Sequence, residues 1–171
     1  LTEQLVRLGW QPGVVSRGYR GEFAQATMVP PDGKPRQLGD EPVLISQKTG
    51  LPVVVARKRA EGVKRLLQES VDIVVSDDGL QHLAMGRYAE IVLIDGEEGF
   101  GNGFLLPAGP LREPSSRLAT IDIRVRRGAK ARAGEYSIDP CLGSARNLVK
   151  GEEMALAQFQ GQPVVGIAGI H

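Results

Sequence analysis

The chain has 171 residues, 42% of them hydrophobic and 24% charged, so it can bury a core and is too apolar for wholesale disorder. Its 21 basic and 20 acidic side chains leave a net charge of +1, which provides no field that would steer the chain to nucleic acid. One cysteine, Cys141, excludes an internal disulfide, and no apolar run reaches the roughly 20 residues of a membrane span.

Helix and strand patterns alternate along the first 110 residues. Apolar spacing predicts three helices, and short continuous apolar runs predict four buried strands. The helices are expected at residues 1–8, 41–48 and 58–69, and the strands at residues 12–15, 52–56, 72–76 and 90–95. The intervening residues 20–39 are predicted to form a loop. Such an order favours a mostly parallel sheet covered on both faces, with ligands at the carboxyl ends of its strands.

The sequence changes character near residue 97, where glycine and proline become frequent. Beyond that segment the patterns are weaker. They predict a strand at residues 120–125, a helix at 152–159 and a strand at 163–167, with a basic, weakly patterned stretch at 126–150. We therefore expect a core domain over residues 1–118, followed by a linker and the beginning of a second, smaller α/β domain over residues 119–171.

Two aspartates directly follow the strand predicted at residues 72–76. Asp77 and Asp78 would lie at the ligand-binding edge of the sheet, where phosphoryl-transfer enzymes use such a carboxylate to hold Mg²⁺. The alternative is that one of them only caps the following turn. Gln81 and His82 add polar side chains to the same loop, although a single histidine is more often structural than catalytic.

Another carboxylate stands at the beginning of a predicted helix. Asp40, in the sequence GDEP at residues 39–42, could act as a general base or could cap that helix. The two roles are compatible only if one carboxylate oxygen stays free. Arg17 and Tyr19 follow the first predicted strand, where they could reach a ligand or could be ordinary surface residues.

A turn-rich segment contains GNG at residues 101–103 and LPAGPLREP at residues 106–114. Proline restricts and glycine widens the range of φ, so such a segment defines one backbone path. It could connect two units, or it could frame a site with Asn102 and Arg112.

Basic residues cluster at residues 57–65 and again at residues 124–132. Solvated surface is the ordinary explanation, and binding of phosphate or lipid head groups is the functional one. The sequence contains neither a GxxxxGK[ST] phosphate loop nor a GxGxxG dinucleotide motif. The residues by themselves thus predict an α/β sheet with an acidic, metal-binding edge and a basic rim.

Four motifs, in their order, resemble the tetraacyldisaccharide 4'-kinase family of lipid A biosynthesis. They are SRGY at residues 16–19, GDEP at 39–42, DDGLQH at 77–82 and LPAGPLREP at 106–114. Their order and spacing over residues 10–118 make the match specific. Beyond residue 120 the likeness is weaker, although VGIAGI at residues 165–170 is similar to a strand of the family's second domain.

The resemblance implies a P-loop-NTPase-like α/β fold of two domains with the site in the cleft between them. It implies a kinase that transfers the γ-phosphate of ATP to the 4'-hydroxyl of a membrane-embedded, acylated glucosamine disaccharide. Asp77 and Asp78 match the family's Walker-B-like Mg²⁺ pair, and Asp40 matches the carboxylate thought to act in proton removal. The other matches are positions that line the site: Tyr19, Arg59, Gln81 and His82.

The same resemblance implies ATP and Mg²⁺ as cofactors and a lipid substrate at the cytoplasmic face of the bacterial inner membrane. It implies no nucleic acid and no protein partner. The family's phosphate loop is expected shortly before Leu1, and the histidine that assists its base in a segment later than His171. We therefore expect a piece of a longer kinase, inactive and poorly soluble alone, with apolar surface at Val14 and Val74.

Two other functions stay open from the residues. One is a non-catalytic module that binds nucleotide or phospholipid. The other is a metal-dependent hydrolase that uses Asp77 and Asp78 with His82.

Overall fold

A mostly parallel sheet of four strands organises the first of the two units into which the chain divides, Leu1–Tyr88 and Ala89–His171. The computed structural model describes residues 1–141 and 143–166. The elements of the first unit are α1 (Thr2–Arg7), β1 (Pro12–Ser16), β2 (Thr27–Met28), α2 (Pro35–Leu38), α3 (Asp40–Thr49), β3 (Val53–Val55), α4 (Arg59–Leu66) and β4 (Ile73–Ser76).

The strand order in this sheet is β2-β3-β1-β4. Strand β1 pairs in parallel with β3 on one side and with β4 on the other, so that Val14 lies opposite Val53 and Val75. Strand β2 is the exception, because it runs antiparallel to β3 at the edge. The three parallel strands therefore end at a common edge, which we call the carboxyl edge of the sheet.

The core lies on both faces of this sheet. Alternate residues of β1 and β3 point to opposite faces. Val14 and Val53 pack with Val43 of α3 on one face, while Val15 and Val54 pack with Leu66 of α4 on the other. The parallel sheet covered on both faces is thus confirmed, and so is the α/β class.

Two expectations for this unit are wrong. The predicted loop at residues 20–39 contains strand β2 and helix α2. Both are short, and their positions depend on contacts with β3 and α3 rather than on local periodicity. Val14 is not exposed but only 2% accessible, because β1 lies in the middle of the sheet, and Val74 is half-buried.

In the second unit, three strands form a parallel sheet of order β5-β6-β7 and two form an antiparallel pair. These strands are β5 (Ile91–Asp95), β6 (Ile123–Arg127), β7 (Tyr136–Ile138), β8 (Ser144–Arg146) and β9 (Glu153–Ala155), with 3₁₀ helices at Ser115–Thr120 and Leu156–Phe159. Strand β5 was expected in the same sheet as β1, but it pairs with β6 instead. The expected domain boundary after residue 118 stays a prediction.

The helix predicted at residues 152–159 is wrong in its first half, while Leu156–Phe159 forms a 3₁₀ helix. Residues Glu153–Ala155 form strand β9, which pairs with β8, and the Ser144 hydroxyl donates a hydrogen bond to Glu153 Oε2 at 2.8 Å. Cross-strand pairing has overridden the local helical spacing. A strand was also predicted at residues 163–167. Residues 163–166 are not in a strand. Ile167 lies outside the described residues, and so does most of the motif at residues 165–170.

The basic stretch of the second unit contains a buried ion pair. Arg126 Nε and Nη2 donate to the two carboxylate oxygens of Glu135 at 2.7 and 2.9 Å, and the Arg126 side chain is only 3% exposed. This contact with Arg126 holds the pKa of Glu135 at about 2. Arg126 is therefore neither solvated surface nor open to an anionic ligand. Among residues 1–141 and 143–166, we find no helix whose length and apolar character would allow it to span a bilayer.

Candidate active site at the carboxyl edge

Polar residues follow β1, β3 and β4 at the carboxyl edge of the first sheet. Ser16 ends β1, and the residues after it begin a turn that contains Tyr19. Asp77 and Asp78 come directly after β4. Since these strands are parallel, the residues that follow them lie side by side, as the sequence predicted.

Asp77 is held by three hydrogen bonds. Its N–H donates to the Val15 carbonyl at 3.0 Å, which continues the pairing of β1 and β4. The buried Ser16 hydroxyl donates to Asp77 Oδ2 at 3.1 Å, and Arg59 Nη2 donates to the Asp77 carbonyl at 2.8 Å. Within the described residues the other carboxylate oxygen, Oδ1, has no partner. The Asp77 side chain is therefore oriented by Ser16 rather than used as a cap of the following turn.

Arg59 lies beneath this acidic pair. It is only 4% exposed, and its Nη1 also donates to the Ala56 carbonyl at 3.4 Å, whereas its buried Nε has no hydrogen-bond partner in the described structure. Burial lowers the pKa of Arg59, and the negative charges of Asp77 and Asp78 oppose that shift. Arg59 therefore supports the β4 end from inside. It is not part of a solvated basic surface.

Asp78 has an unusual backbone conformation, with φ of 45°. This is the left-handed region, which aspartate visits more readily than most residues other than glycine. The chain consequently turns sharply as soon as β4 ends. Because the backbone changes direction here, the Asp78 side chain lies outside the sheet and is exposed.

Asp40 opens helix α3 without capping it. The N-cap residue is Gly39, and no side chain makes a cap hydrogen bond there. Gly39 has φ of 90°, and a Cβ on it would lie 3.1 Å from the Gly18 Cα and 3.2 Å from the Tyr19 carbonyl oxygen. Glycine thus lets α3 begin in close contact with the turn after β1. The capping explanation of Asp40 is wrong, and its exposed carboxylate stays available for chemistry.

Glu41 is influenced by carboxylates from two different loops. Partial desolvation raises its pKa, and the negative charges of Asp77, Asp40 and Asp78 raise it further. Asp40 and the Asp77–Asp78 pair come from different loops, yet both lie within electrostatic reach of Glu41. Sequence reasoning gave no role to Glu41 or Ser16, although they lie in the motifs GDEP and SRGY.

The remaining predicted site residues divide between the two units. Tyr19 is 67% exposed beside Asp40's helix, and Gln81 and His82 follow Asp78 in a turn closed by the His82 N–H and the Gly79 carbonyl at 3.0 Å. Asn102 and Arg112 belong to the second unit. The Asn102 amide bridges its own loop, donating to the Ala108 carbonyl at 2.8 Å and accepting from the Phe104 N–H at 3.1 Å. Contact of Asn102 or Arg112 with a ligand stays a prediction.

The donor set suits Mg²⁺. In the described part of the chain, no three His, Cys, Asp or Glu side chains are grouped as ligands of one metal ion. Mg²⁺ commonly uses one or two carboxylates together with waters and phosphate oxygens rather than a cage of protein ligands. Asp77 Oδ1 is open, and the exposed Asp78 follows it directly. The residues present therefore fit the ion.

Comparison with known proteins gives a consistent assignment. The tetraacyldisaccharide 4'-kinase of Methylobacillus flagellatus is 48% identical over 173 residues, which cover 99% of this chain and 52% of that protein. The crystal structure of LpxK from Aquifex aeolicus in complex with ATP superposes with a TM-score of 0.73 at 23% identity, covering 95% of this chain and 55% of that one, and this likeness concerns the fold. The chain thus spans about half the length of these relatives. A family model described as tetraacyldisaccharide-1-P 4'-kinase matches residues 1–171. This match agrees with the acidic residues at the carboxyl edge, and we conclude that the chain belongs to that family.

Proposed function

We propose that the protein containing this chain is a Mg²⁺-dependent kinase that transfers the γ-phosphate of ATP to the 4'-hydroxyl of a tetraacylated glucosamine disaccharide 1-phosphate. Family membership across residues 1–171 supports the proposal. The structural observations that carry it are the Asp77 side chain, which Ser16 orients through Oδ2 while Oδ1 stays open, and the exposed Asp40 at the start of α3. Phosphoryl transfer requires a metal site and a site that accepts a proton, and these two groups supply one each.

Asp77 and Asp78 would hold Mg²⁺ together with phosphate oxygens of the nucleotide. The bound metal would supply neutralisation of phosphate charge. Ser16 would keep Asp77 Oδ2 turned toward β1, so that Oδ1 faces the ligand. Arg59 would keep the backbone of Asp77 in place through its bond to the carbonyl oxygen.

Asp40 would accept the proton of the acceptor hydroxyl. A sugar hydroxyl is a weak nucleophile, and a positioned base contributes roughly 10²–10⁴-fold to such a transfer. Asp40 is exposed, makes no cap hydrogen bond and stands at the first position of α3. Because the acceptor is an acylated lipid, the reaction would take place at a membrane surface, and the family resemblance implies the cytoplasmic face of the bacterial inner membrane.

The test uses the full-length protein and measures transfer of labelled phosphate from ATP to the disaccharide lipid. We expect Asp77→Asn and Asp78→Asn to lower kcat strongly and to shift the Mg²⁺ dependence to higher concentration. Asp32→Asn, in the exposed turn at residues 30–33, is the matched control and should behave as wild type.

Each result has a distinct meaning. Transfer that both variants retain at limiting Mg²⁺ would overturn the metal assignment. Release of inorganic phosphate without acceptor lipid would favour a hydrolase. Nucleotide binding by the wild type without any transfer would favour a binding module and would overturn the proposal.

A further inference from the structure

The second half of the turn-rich segment forms a closed loop in the second unit. The Leu106 N–H donates to the Leu111 carbonyl at 2.9 Å, and the Leu111 N–H donates to the Phe104 carbonyl at 3.2 Å. These bonds fix the shape of the loop, and the residues that follow them attach it to the sheet of this unit. We call residues 104–114 the proline-rich loop.

Arg117 joins the end of the proline-rich loop to the beginning of β5. It lies in the 3₁₀ helix at Ser115–Thr120, and its N–H donates to the Pro114 carbonyl at 2.9 Å. Arg117 Nη2 donates to both carboxylate oxygens of Glu90 at 2.7 Å, and Arg117 Nε lies 3.2 Å from Glu113 Oε2. One guanidinium therefore holds a residue of the loop and the residue just before β5.

Glu90 gives Arg117 a fixed point on the sheet. The Glu90 N–H donates to Asp122 Oδ2 at 2.8 Å, and the Glu90 carbonyl accepts from the Ile123 N–H at 3.0 Å. The Glu90 side chain is only 13% exposed and the Arg117 side chain 27%, so the ion pair is partly shielded from water. The position of the proline-rich loop relative to β5 and β6 is therefore set through Arg117.

The residue that this arrangement places is Arg112. Arg112 directly precedes Glu113 in the chain, so its backbone is fixed one residue away from the contact of Arg117 with Glu113. A guanidinium binds phosphate oxygens in a planar, directional geometry. Displacement of such a group by about 1 Å can cost roughly 10²-fold in rate, even when the changed residue is remote from the chemistry.

We propose that Arg117 is a positioning residue for phosphoryl transfer, which holds Arg112 in place through its contacts with Glu113 and Glu90. This rests on the function proposed above, because the placement of Arg112 affects a rate only if the protein transfers phosphate. Arg117 Nη2 and Nε are engaged by the two carboxylates, and its Nη1 donates to the Thr120 hydroxyl. Arg117 therefore acts through Arg112 and not by contact with a substrate.

The experiment measures initial rates and thermal melts of the full-length protein. We expect Arg117→Gln to lower kcat roughly 10²-fold and to lower Tm, because Glu90 loses its partner. The double variant Glu90→Gln/Arg117→Gln removes the unpaired charge, so Tm should largely recover while kcat stays low, since Glu113 is still not held. Arg117→Lys keeps the charge but lacks the planar fork, and it should recover only part of kcat.

The matched control is the other ion pair of the second unit. Arg126→Gln/Glu135→Gln removes a two-bond pair that joins β6 to the residue before β7 rather than to the proline-rich loop. It should change Tm and leave kcat as in the wild type at temperatures below the melting range.

Arg112→Gln supplies the decisive comparison. If Arg117 acts through Arg112, the loss of kcat in Arg112→Gln/Arg117→Gln should exceed that in Arg112→Gln by no more than a few-fold. Losses that multiply would overturn the proposal, and so would wild-type kcat in Arg112→Gln, recovery of kcat together with Tm in Glu90→Gln/Arg117→Gln, or an equal loss of kcat in the control.

These outcomes leave the kinase assignment standing, because the wild type still transfers phosphate in each of them. A wild type that transfers no phosphate to the disaccharide lipid would instead overturn the proposed function and, with it, the role of Arg117.

Discussion

Replacing Asp40 by asparagine separates catalysis from helix stability. Asparagine has nearly the shape of aspartate but cannot take up the proton of a hydroxyl at neutral pH. If Asp40 is the proton acceptor, kcat of the full-length protein should fall roughly 10²–10⁴-fold. That decrease corresponds to about 2.7–5.4 kcal/mol of transition-state stabilisation.

The change in stability should be much smaller, for a reason visible in the structure. Loss of an N-cap hydrogen bond costs about 0.5–2 kcal/mol, but Asp40 makes no such bond. What asparagine removes is one negative charge at the N-terminus of α3, worth about 0.3–1 kcal/mol. Relief of the repulsion between Asp40 and Glu41 opposes that loss. The free energy of unfolding should therefore change by less than about 1 kcal/mol, or a few degrees in Tm.

The assay combines initial rates, thermal melts and the pKa of Glu41 followed by carbon NMR. Because the negative charge of Asp40 raises the pKa of Glu41, Asp40→Asn should bring that pKa closer to its ordinary value of 4.5. Glu61→Gln removes an exposed charge from the first turn of α4, where Glu61 pairs with Lys58 at 3.8 Å, so it should lower Tm slightly and leave the rate unchanged. A loss of rate that parallels a large loss of Tm would refute the reasoning, as would wild-type activity in Asp40→Asn.

Three further predictions concern stability. Because the folded state raises the pKa of Glu41, its ionisation disfavours folding above pH 4.5; Glu41→Gln should therefore raise Tm at pH 7, with the gain vanishing below that pH. The pKa of Glu135 is instead lowered to about 2, so Glu135→Gln should lower Tm at pH 7, and melts should show the difference disappearing as the pH falls from 4.5 toward 2. Gly39→Ala should destabilise by about 1–3 kcal/mol in denaturant unfolding, because alanine is strained at φ of 90° and meets backbone atoms. Gly50→Ala, where φ is 65° and the added Cβ meets nothing, should cost less; equal losses would contradict the close-contact explanation.

The sequence alone was sufficient for the parallel core and for the position of its acidic edge. Continuous runs such as VVV at Val53–Val55 have one stable environment, a strand buried on both faces, so their fold class follows from composition and length. The placement of Asp77 and Asp78 then follows from chain direction, because parallel strands end together. The four motifs, taken in their order along the chain, also identified the family.

Tertiary structure decided what local patterns could not. Whether Asp40 caps α3 depends on the contact of Gly39 with the turn after β1, which no periodicity records. Arg59 belongs to a basic run in the sequence, yet it is buried because the carbonyl oxygens of Ala56 and Asp77 meet around it. Strand β9 was predicted as a helix because its apolar spacing was considered alone, whereas its conformation depends on pairing with the preceding strand β8. The raised pKa of Glu41 also depends on tertiary structure. The negative charges of Asp40, Asp77 and Asp78 act on Glu41 only after folding has brought their separate loops near one another.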